Sequence, residues 1–119
     1  MAKSRTNRQR VYRVMAGISQ APFELFGEAN ENTVQYLRQL MQNNIVTFRF
    51  RREDNTIVER RGTLHPAYTG TYFEQHPSES EGRYIDPFVL KYWDITRQGW
   101  RSCRAERLIG YNAELEEIT

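Results

Sequence analysis

Three arginines recur at intervals of three near the end of the chain, in the stretch GWRSCRAERLIGY. They are Arg101, Arg104 and Arg107, and a planar guanidinium can bind a phosphate through two parallel hydrogen bonds and stack on a base. Lysine occurs only at Lys3 and Lys91, so fifteen of the 17 basic residues are arginines. This bias favours recognition of an anion over general solubility. Arg104 and Arg107 converge if the chain turns helical after the strand, since residues three apart then share a face.

An alternative reading of the same arginines stays open. They could form a structural network that holds the ends of the fold together by pairing with acidic residues, for which the candidates are Asp86, Asp94, Glu106 and Glu59.

A second group of arginines lies in the stretch NIVTFRFRREDNTIVERRGTL, which has the pattern of a β-hairpin. Apolar side chains alternate with polar or basic ones along its first half, so one face is apolar and the other is basic. A three-residue loop would place Val58 and Gly62 on the apolar face. Arg49, Arg51 and Arg61 then lie on the outer face. Arg49 and Arg61 become cross-strand neighbours there, which is unfavourable unless an anion lies between them.

Aromatic residues surround the C-terminal arginines. Tyr92, Trp93 and Trp100 could stack on nucleic-acid bases, each contributing about 1–3 kcal/mol, or could fill the core of a small barrel. Both readings remain open.

The sequence lacks the motifs of an enzyme. It has no glycine-rich phosphate loop, no HExxH and no GxSxG, and Cys103 is more typical of a small buried thiol than of a nucleophile. His65 and His76 each precede a proline and lack the spacing of metal ligands. We therefore expect no catalytic residue, no metal and no cofactor.

Charge divides the chain into three parts. Residues 1–14 hold five basic residues and no acidic one, and residues 112–119 hold three glutamates. We expect a basic arm and connector at 1–30, a domain at 31–111 and an acidic tail at 112–119. Such an arm suits a polyanion or an acidic protein surface, or is simply a solvated terminus; its basic residues are Lys3, Arg5, Arg8, Arg10 and Arg13.

The lone Cys103 excludes an intramolecular disulfide and favours a reducing cytoplasm. No apolar run approaches the roughly 18–20 residues that span a bilayer, and no export signal is evident. We therefore expect no membrane association.

The elements that would position these residues follow from periodicity. Thr6 to Gly17 suggests a short helix in the arm, and apolar spacing predicts an amphipathic helix over residues 33–43. Tyr68 to Phe73 could add a strand. Phe88 to Ile95 and Trp100 to Arg104 form a second hairpin whose Gly99 can take a positive φ, and AERL forms one helical turn. A helix followed by about five short strands predicts a mainly β fold closed as a small barrel.

The stretch FVLKYWDITRQGWRSCRAERLIGY resembles the C-terminal signature of WYL domains, in which a Trp-Tyr-Leu strand precedes a pattern close to W-R-x-F-R-x-x-R-I. Trp100, Arg101, Arg104 and Arg107 stand at matching positions, with Leu108 as the last aliphatic residue. The name-giving triplet falls at residues 88–90, where only the leucine is kept. The resemblance covers residues 33–111.

This resemblance implies an Sm-like, SH3-type β-barrel with the arginine cluster as its anion-contacting part. It also implies a small regulatory module, encoded by a phage or mobile element, that binds nucleic acid or a nucleotide-like ligand in the cytoplasm. The alternative is a protein-interaction or structural subunit, such as a virion component or host-takeover factor. In that case the basic arm would wrap a neighbouring protein or join copies of the chain.

Overall fold

The computed structural model describes residues 23–75 and 86–118. The basic arm with its expected helix, and His76, lie outside the described residues.

Helix α1 spans Glu31–Met41, two residues earlier than the sequence pattern indicates. Asn30 caps it, because its side chain accepts a hydrogen bond from the Asn32 amide at 2.9 Å while its own amide donates to Thr33 Oγ1 at 3.0 Å. Its buried side chains are those of Val34, Leu37 and Met41. This apolar face packs on the sheet, as its spacing predicts.

Seven antiparallel strands lie within the described residues. They are β1 (Glu24–Leu25), β2 (Asn44–Arg51), β3 (Ile57–Thr63), β4 (Val89–Asp94), β5 (Gly99–Arg104), β6 (Leu108–Tyr111) and β7 (Glu116–Glu117). Their order is β1-β6-β2-β3-β4-β5, with β7 also paired to β2. The order of the five longer strands fits an SH3-type barrel, although hydrogen bonding does not close the sheet into a ring.

The β2–β3 hairpin has the three-residue loop expected from the sequence. Val46 pairs with Gly62 and Phe50 pairs with Val58, so Val58 and Gly62 share the phenylalanine face as predicted. The Arg52 amide donates to the Thr56 carbonyl oxygen, and Asn55 has a φ of 68°. A left-handed residue at the end of a three-residue hairpin loop is a common solution for joining twisted strands.

A helix replaces the strand expected at Tyr68 to Phe73, so that prediction is wrong. Helix α2 spans Pro66–Gln75. Proline suits the first turn of a helix, and His65 Nδ1 accepts a hydrogen bond from the Ala67 amide at 3.0 Å. The Thr69 hydroxyl donates to the His65 carbonyl oxygen, and Thr69 is fully buried. Local capping and burial therefore outweigh the strand preference of the tyrosines and threonines.

The second hairpin is formed by β4 and β5, as expected, but its positive φ falls on a different residue. Gln98 has a φ of 51°, whereas Gly99 begins β5 and pairs with Asp94. The Asp94 side chain accepts a hydrogen bond from the Arg97 amide at 2.9 Å, which fixes the turn before Gln98. After β5 the chain makes the predicted single helical turn, a 3-10 helix over Ala105–Arg107.

Phe48 and Tyr92 lie at the centre of the core, with their rings edge to face and their centroids 4.9 Å apart. The acidic tail is part of the sheet, since β7 pairs Glu116 with Ile45 and Glu117 with Asn44. Within the part of the chain that the structure describes, no helix is long and apolar enough to cross a bilayer.

Candidate anion-binding cleft

An open cleft of about 560 Å³ lies between the β2–β3 loop on one side and β5 with the 3-10 helix on the other. Four of its lining residues are arginines. The full lining is Phe50, Arg51, Arg52, Glu53, Asp54, Val89, Ser102, Cys103, Arg104 and Arg107.

The 3-10 helix brings Arg104 and Arg107 to the same cleft. Arg107 Nη1 donates to the Arg51 carbonyl oxygen at 3.4 Å, which ties this turn to the end of β2. Arg104 Nε donates to Glu106 Oε1 at 2.6 Å, and both side chains are 58% exposed. This hydrogen bond lowers the pKa of Glu106. Water screens so exposed a pair, so Glu106 holds Arg104 only weakly.

The other arginines of the cleft have no such partner. Among residues 23–75 and 86–118, no carboxylate lies within 4.0 Å of the guanidinium of Arg51, Arg52 or Arg107. All three line the open cleft, where an anion can reach their remaining N–H donors.

Arg49 and Arg61 lie outside the cleft, and the expectation that they are cross-strand neighbours on an exposed face is wrong, because Arg61 lies across from Thr47 and only Arg61 is exposed. Arg49 is 3% exposed and pairs with Glu59 directly across the hairpin, with Nε to Oε1 at 3.0 Å. Its guanidinium also lies 3.6 Å from the centre of the Phe23 ring. Arg61 binds Glu116 through two hydrogen bonds of 3.1 and 2.8 Å. Phe23 therefore covers Arg49 on the face that alternation alone marks as exposed, and β7 supplies the ion-pair partner of Arg61.

Arg101 does not line the cleft. It lies across from Tyr92 on β5, is exposed, and donates from Nη1 to the carbonyl oxygen of Trp100 at 2.9 Å. The three arginines of the sequence signature therefore do not share one site. Arg104 and Arg107 meet at the cleft, and Arg101 lies apart from them.

The three candidate stacking residues also separate. Tyr92 is 1% exposed in the core and is not available to a base, as the alternative reading allowed. Trp93 and Trp100 are half-buried on the opposite face of the β4–β5 hairpin, edge to face with centroids 5.7 Å apart. Lys91 lies over the Trp100 ring at 5.2 Å.

Cys103 lies at the inner wall of the cleft and is 5% exposed. Burial raises the pKa of its thiol to about 12, although the nearby Arg107 opposes this shift. The residue is therefore a neutral thiol at physiological pH, in agreement with its prediction as a buried, unreactive cysteine.

Sequence reasoning missed part of the cleft. Phe50 was assigned wholly to the apolar face of the hairpin, and Arg52, Val89 and Ser102 were not singled out. The available signal was the pair Arg51-Arg52 at the end of the strand. Where the following loop folds back, two consecutive side chains there can line the same opening.

The fold and the cleft define a small Sm-like, SH3-type β-barrel protein with a positively charged opening. A family model described as WYL_2, Sm-like SH3 beta-barrel fold, matches residues 34–109, and the chain belongs to this family. The resemblance seen in the sequence is thereby confirmed, together with the fold that it implied. No curated protein and no solved structure gives a significant match.

Proposed function

We propose that this protein is a non-enzymatic module that binds nucleic acid or a nucleotide-like anion through the cleft. The observation that carries the proposal is the meeting of Arg51, Arg52, Arg104 and Arg107 around one open space. These residues come from two segments more than fifty positions apart, so the fold rather than local sequence concentrates the charge.

The charge of the cleft suits a phosphate group. Its lining holds four arginines against two carboxylates, Glu53 and Asp54, a balance of +2. A guanidinium offers paired N–H donors to phosphate oxygens, and hydrogen bonds between charged groups contribute about 1.5–3 kcal/mol each.

Phe50 gives the cleft an aromatic wall. It is half-buried and stacks on Phe48 with ring centroids 6.0 Å apart. An aromatic side chain beside phosphate-binding groups is the combination that proteins use to hold single-stranded nucleic acid or a nucleotide. The basic arm would add salt-sensitive affinity for a polyanion. The role of the basic arm stays a prediction. So do a regulatory function in the cytoplasm and an origin in a phage or mobile element.

Fluorescence anisotropy tests the proposal. Labelled single-stranded RNA, single-stranded DNA and duplex DNA are titrated with the protein at several salt concentrations, beside the variant Arg104→Gln/Arg107→Gln. We expect at least a roughly tenfold loss of affinity in this variant. If both arginines contact phosphates of a single strand, the slope of log K against log salt becomes shallower by about 1.4.

The matched control is Arg61→Gln/Arg101→Gln, which also removes two positive charges but from exposed arginines that do not line the cleft. Its affinity should stay within about twofold of wild type. Equal losses in both variants would show that only net charge matters, which contradicts a defined site. Absence of binding to all three polymers at low salt, with ATP also failing to bind, refutes the proposal in favour of a protein partner.

A further inference from the structure

A second group of arginines lies at the β4–β5 turn, around a carboxylate that the cleft does not use. Asp94 is fully buried, and its Oδ1 accepts the hydrogen bond from the Arg97 amide. Its Oδ2 is buried and accepts no hydrogen bond from the described residues. The nearest cationic atoms are Arg97 Nη1 at 3.7 Å and Arg60 Nε at 3.9 Å, beyond the roughly 2.7–3.2 Å of a hydrogen bond.

Arg60 lies at the centre of this group. It projects from β3 on the same face as Phe50, with its guanidinium 6.0 Å from the centre of that ring, and its side chain is only 15% exposed. Burial lowers the pKa of Arg60, and the nearby positive charges of Arg97 and Arg52 lower it further. Arg60 is therefore a largely desolvated cation with two like charges close by.

The charges of this group do not balance. The guanidiniums of Arg60 and Arg97 flank the Asp94 carboxylate, and neither donates a hydrogen bond to its Oδ2. Arg60 Nη1 donates to the Glu59 carbonyl oxygen at 2.9 Å. Arg52 adds a third positive charge, close enough to lower the pKa of Arg60. Holding the largely buried Arg60 cation beside two like charges is unfavourable, and an added anion would relieve that repulsion. Asp94 Oδ2 lies 3.9 Å from Arg60 Nε and 3.7 Å from Arg97 Nη1 and accepts no hydrogen bond from either, so these donors remain available to a tetrahedral oxyanion.

We propose that Arg52, Arg60 and Arg97 form a second phosphate-binding site, between the β2–β3 loop and the β4–β5 turn. This site goes beyond the cleft proposed above, because Arg60 and Arg97 do not line that cleft. Arg52 belongs to both groups, because it also lines the cleft. A ligand with two phosphate groups could therefore occupy both places at once, and that joint use rests on the proposed function of the cleft.

The test is a titration followed by NMR of the arginine Nε–Hε groups in uniformly ¹⁵N-labelled protein. The probes are inorganic phosphate, which can fill one site, and a 5′-phosphorylated trinucleotide, which can reach both. The proteins are wild type, Arg97→Gln and Arg104→Gln/Arg107→Gln. Arg97 is 42% exposed at a turn, so its replacement should leave the fold intact.

We expect phosphate to shift the Arg60 and Arg97 signals in wild type and equally in the Arg104→Gln/Arg107→Gln variant. In Arg97→Gln the apparent phosphate affinity at Arg60 should fall about tenfold. The trinucleotide should bind wild type at least tenfold more tightly than phosphate does, and either variant should lose that advantage.

Two other outcomes separate the proposals. Saturable shifts at Arg104 and Arg107 with none at Arg60 and Arg97 would overturn the second site and leave the cleft standing. Shifts at Arg60 and Arg97 with none at the cleft would support the second site and count against the proposed function. Equal phosphate affinity at Arg60 in wild type and Arg97→Gln would also overturn the second site.

Discussion

Replacing Gly62 by alanine should destabilise the fold through a single contact in the core. Gly62 on β3 pairs with Val46, and a Cβ built on it would lie 2.6 Å from Tyr92 Cδ2. Ordinary contact begins at 3.4 Å, so the gap would have to widen by about 0.8 Å. The Tyr92 ring is 1% exposed and packs edge to face on Phe48, so it cannot move away from the new Cβ without disturbing the core.

The size of the effect follows from two opposing contributions. Overpacking a well-packed core costs about 1–3 kcal/mol. Replacing a glycine in a strand recovers about 0.5–1 kcal/mol of backbone entropy. We therefore expect the free energy of unfolding to fall by about 1–2 kcal/mol in Gly62→Ala.

Urea denaturation followed by tryptophan fluorescence measures this change as a shift in midpoint at constant m-value. Gly70→Ala is the matched control, because Gly70 lies in helix α2 and its Cβ would have no neighbour within 4 Å. That variant should be more stable than wild type by up to about 1 kcal/mol. Stability of Gly62→Ala equal to or above wild type would refute the packing assigned to Tyr92.

Two further predictions concern stability. Burial raises the pKa of Cys103 to about 12 and also raises that of Tyr92, while the same groups in the unfolded chain ionise at about 8.5 and about 10. The native state keeps protons that the unfolded state loses above about pH 8, so the free energy of unfolding should fall as the pH rises from about 8 to 10.5. Urea midpoints across this range check the fall, and a flat profile would contradict the burial of both groups. Arg38 Nη2 donates to the carbonyl oxygens of Asp86 at 3.0 Å and Val89 at 2.7 Å, joining α1 to the start of β4. The free energy of unfolding should fall by about 1–3 kcal/mol in Arg38→Gln and by no more than about 1 kcal/mol in the exposed Arg61→Gln. Similar falls in both variants would argue against the link between α1 and β4.

Periodicity predicted the elements that carry regular patterns. The amphipathic helix, both hairpins, the three-residue loop and the turn at AERL follow from local chemistry, and the family resemblance supplied the barrel. Tyr68 to Phe73 was assigned wrongly because strand-forming residues can enter a helix when a proline and a capping histidine begin it.

The site was harder to predict because its composition depends on distant pairing. Alternation correctly placed Arg49 on the face opposite Phe48, but that face is covered by Phe23 and residues beyond Tyr111. No local pattern reports such a cover. Arg60 is the converse case, since alternation assigns it to the apolar face and only the fold shows that Asp94, Arg97 and Phe50 lie around it.

Strand β2 has consequences for how the molecule folds. It pairs with β3 on one edge, while β6 and β7 share its other edge, so Phe48 meets Tyr111 and Asn44 meets Glu117 across more than sixty residues of chain. Contacts so distant in sequence must overcome a large loop-closure entropy before they stabilise anything, which slows folding to the millisecond-to-second range in comparable small β domains. Until β6 arrives, β2 presents an apolar strand with an open edge to other chains. The cleft needs β2 and the 3-10 helix together, so it forms only once this long-range pairing is in place.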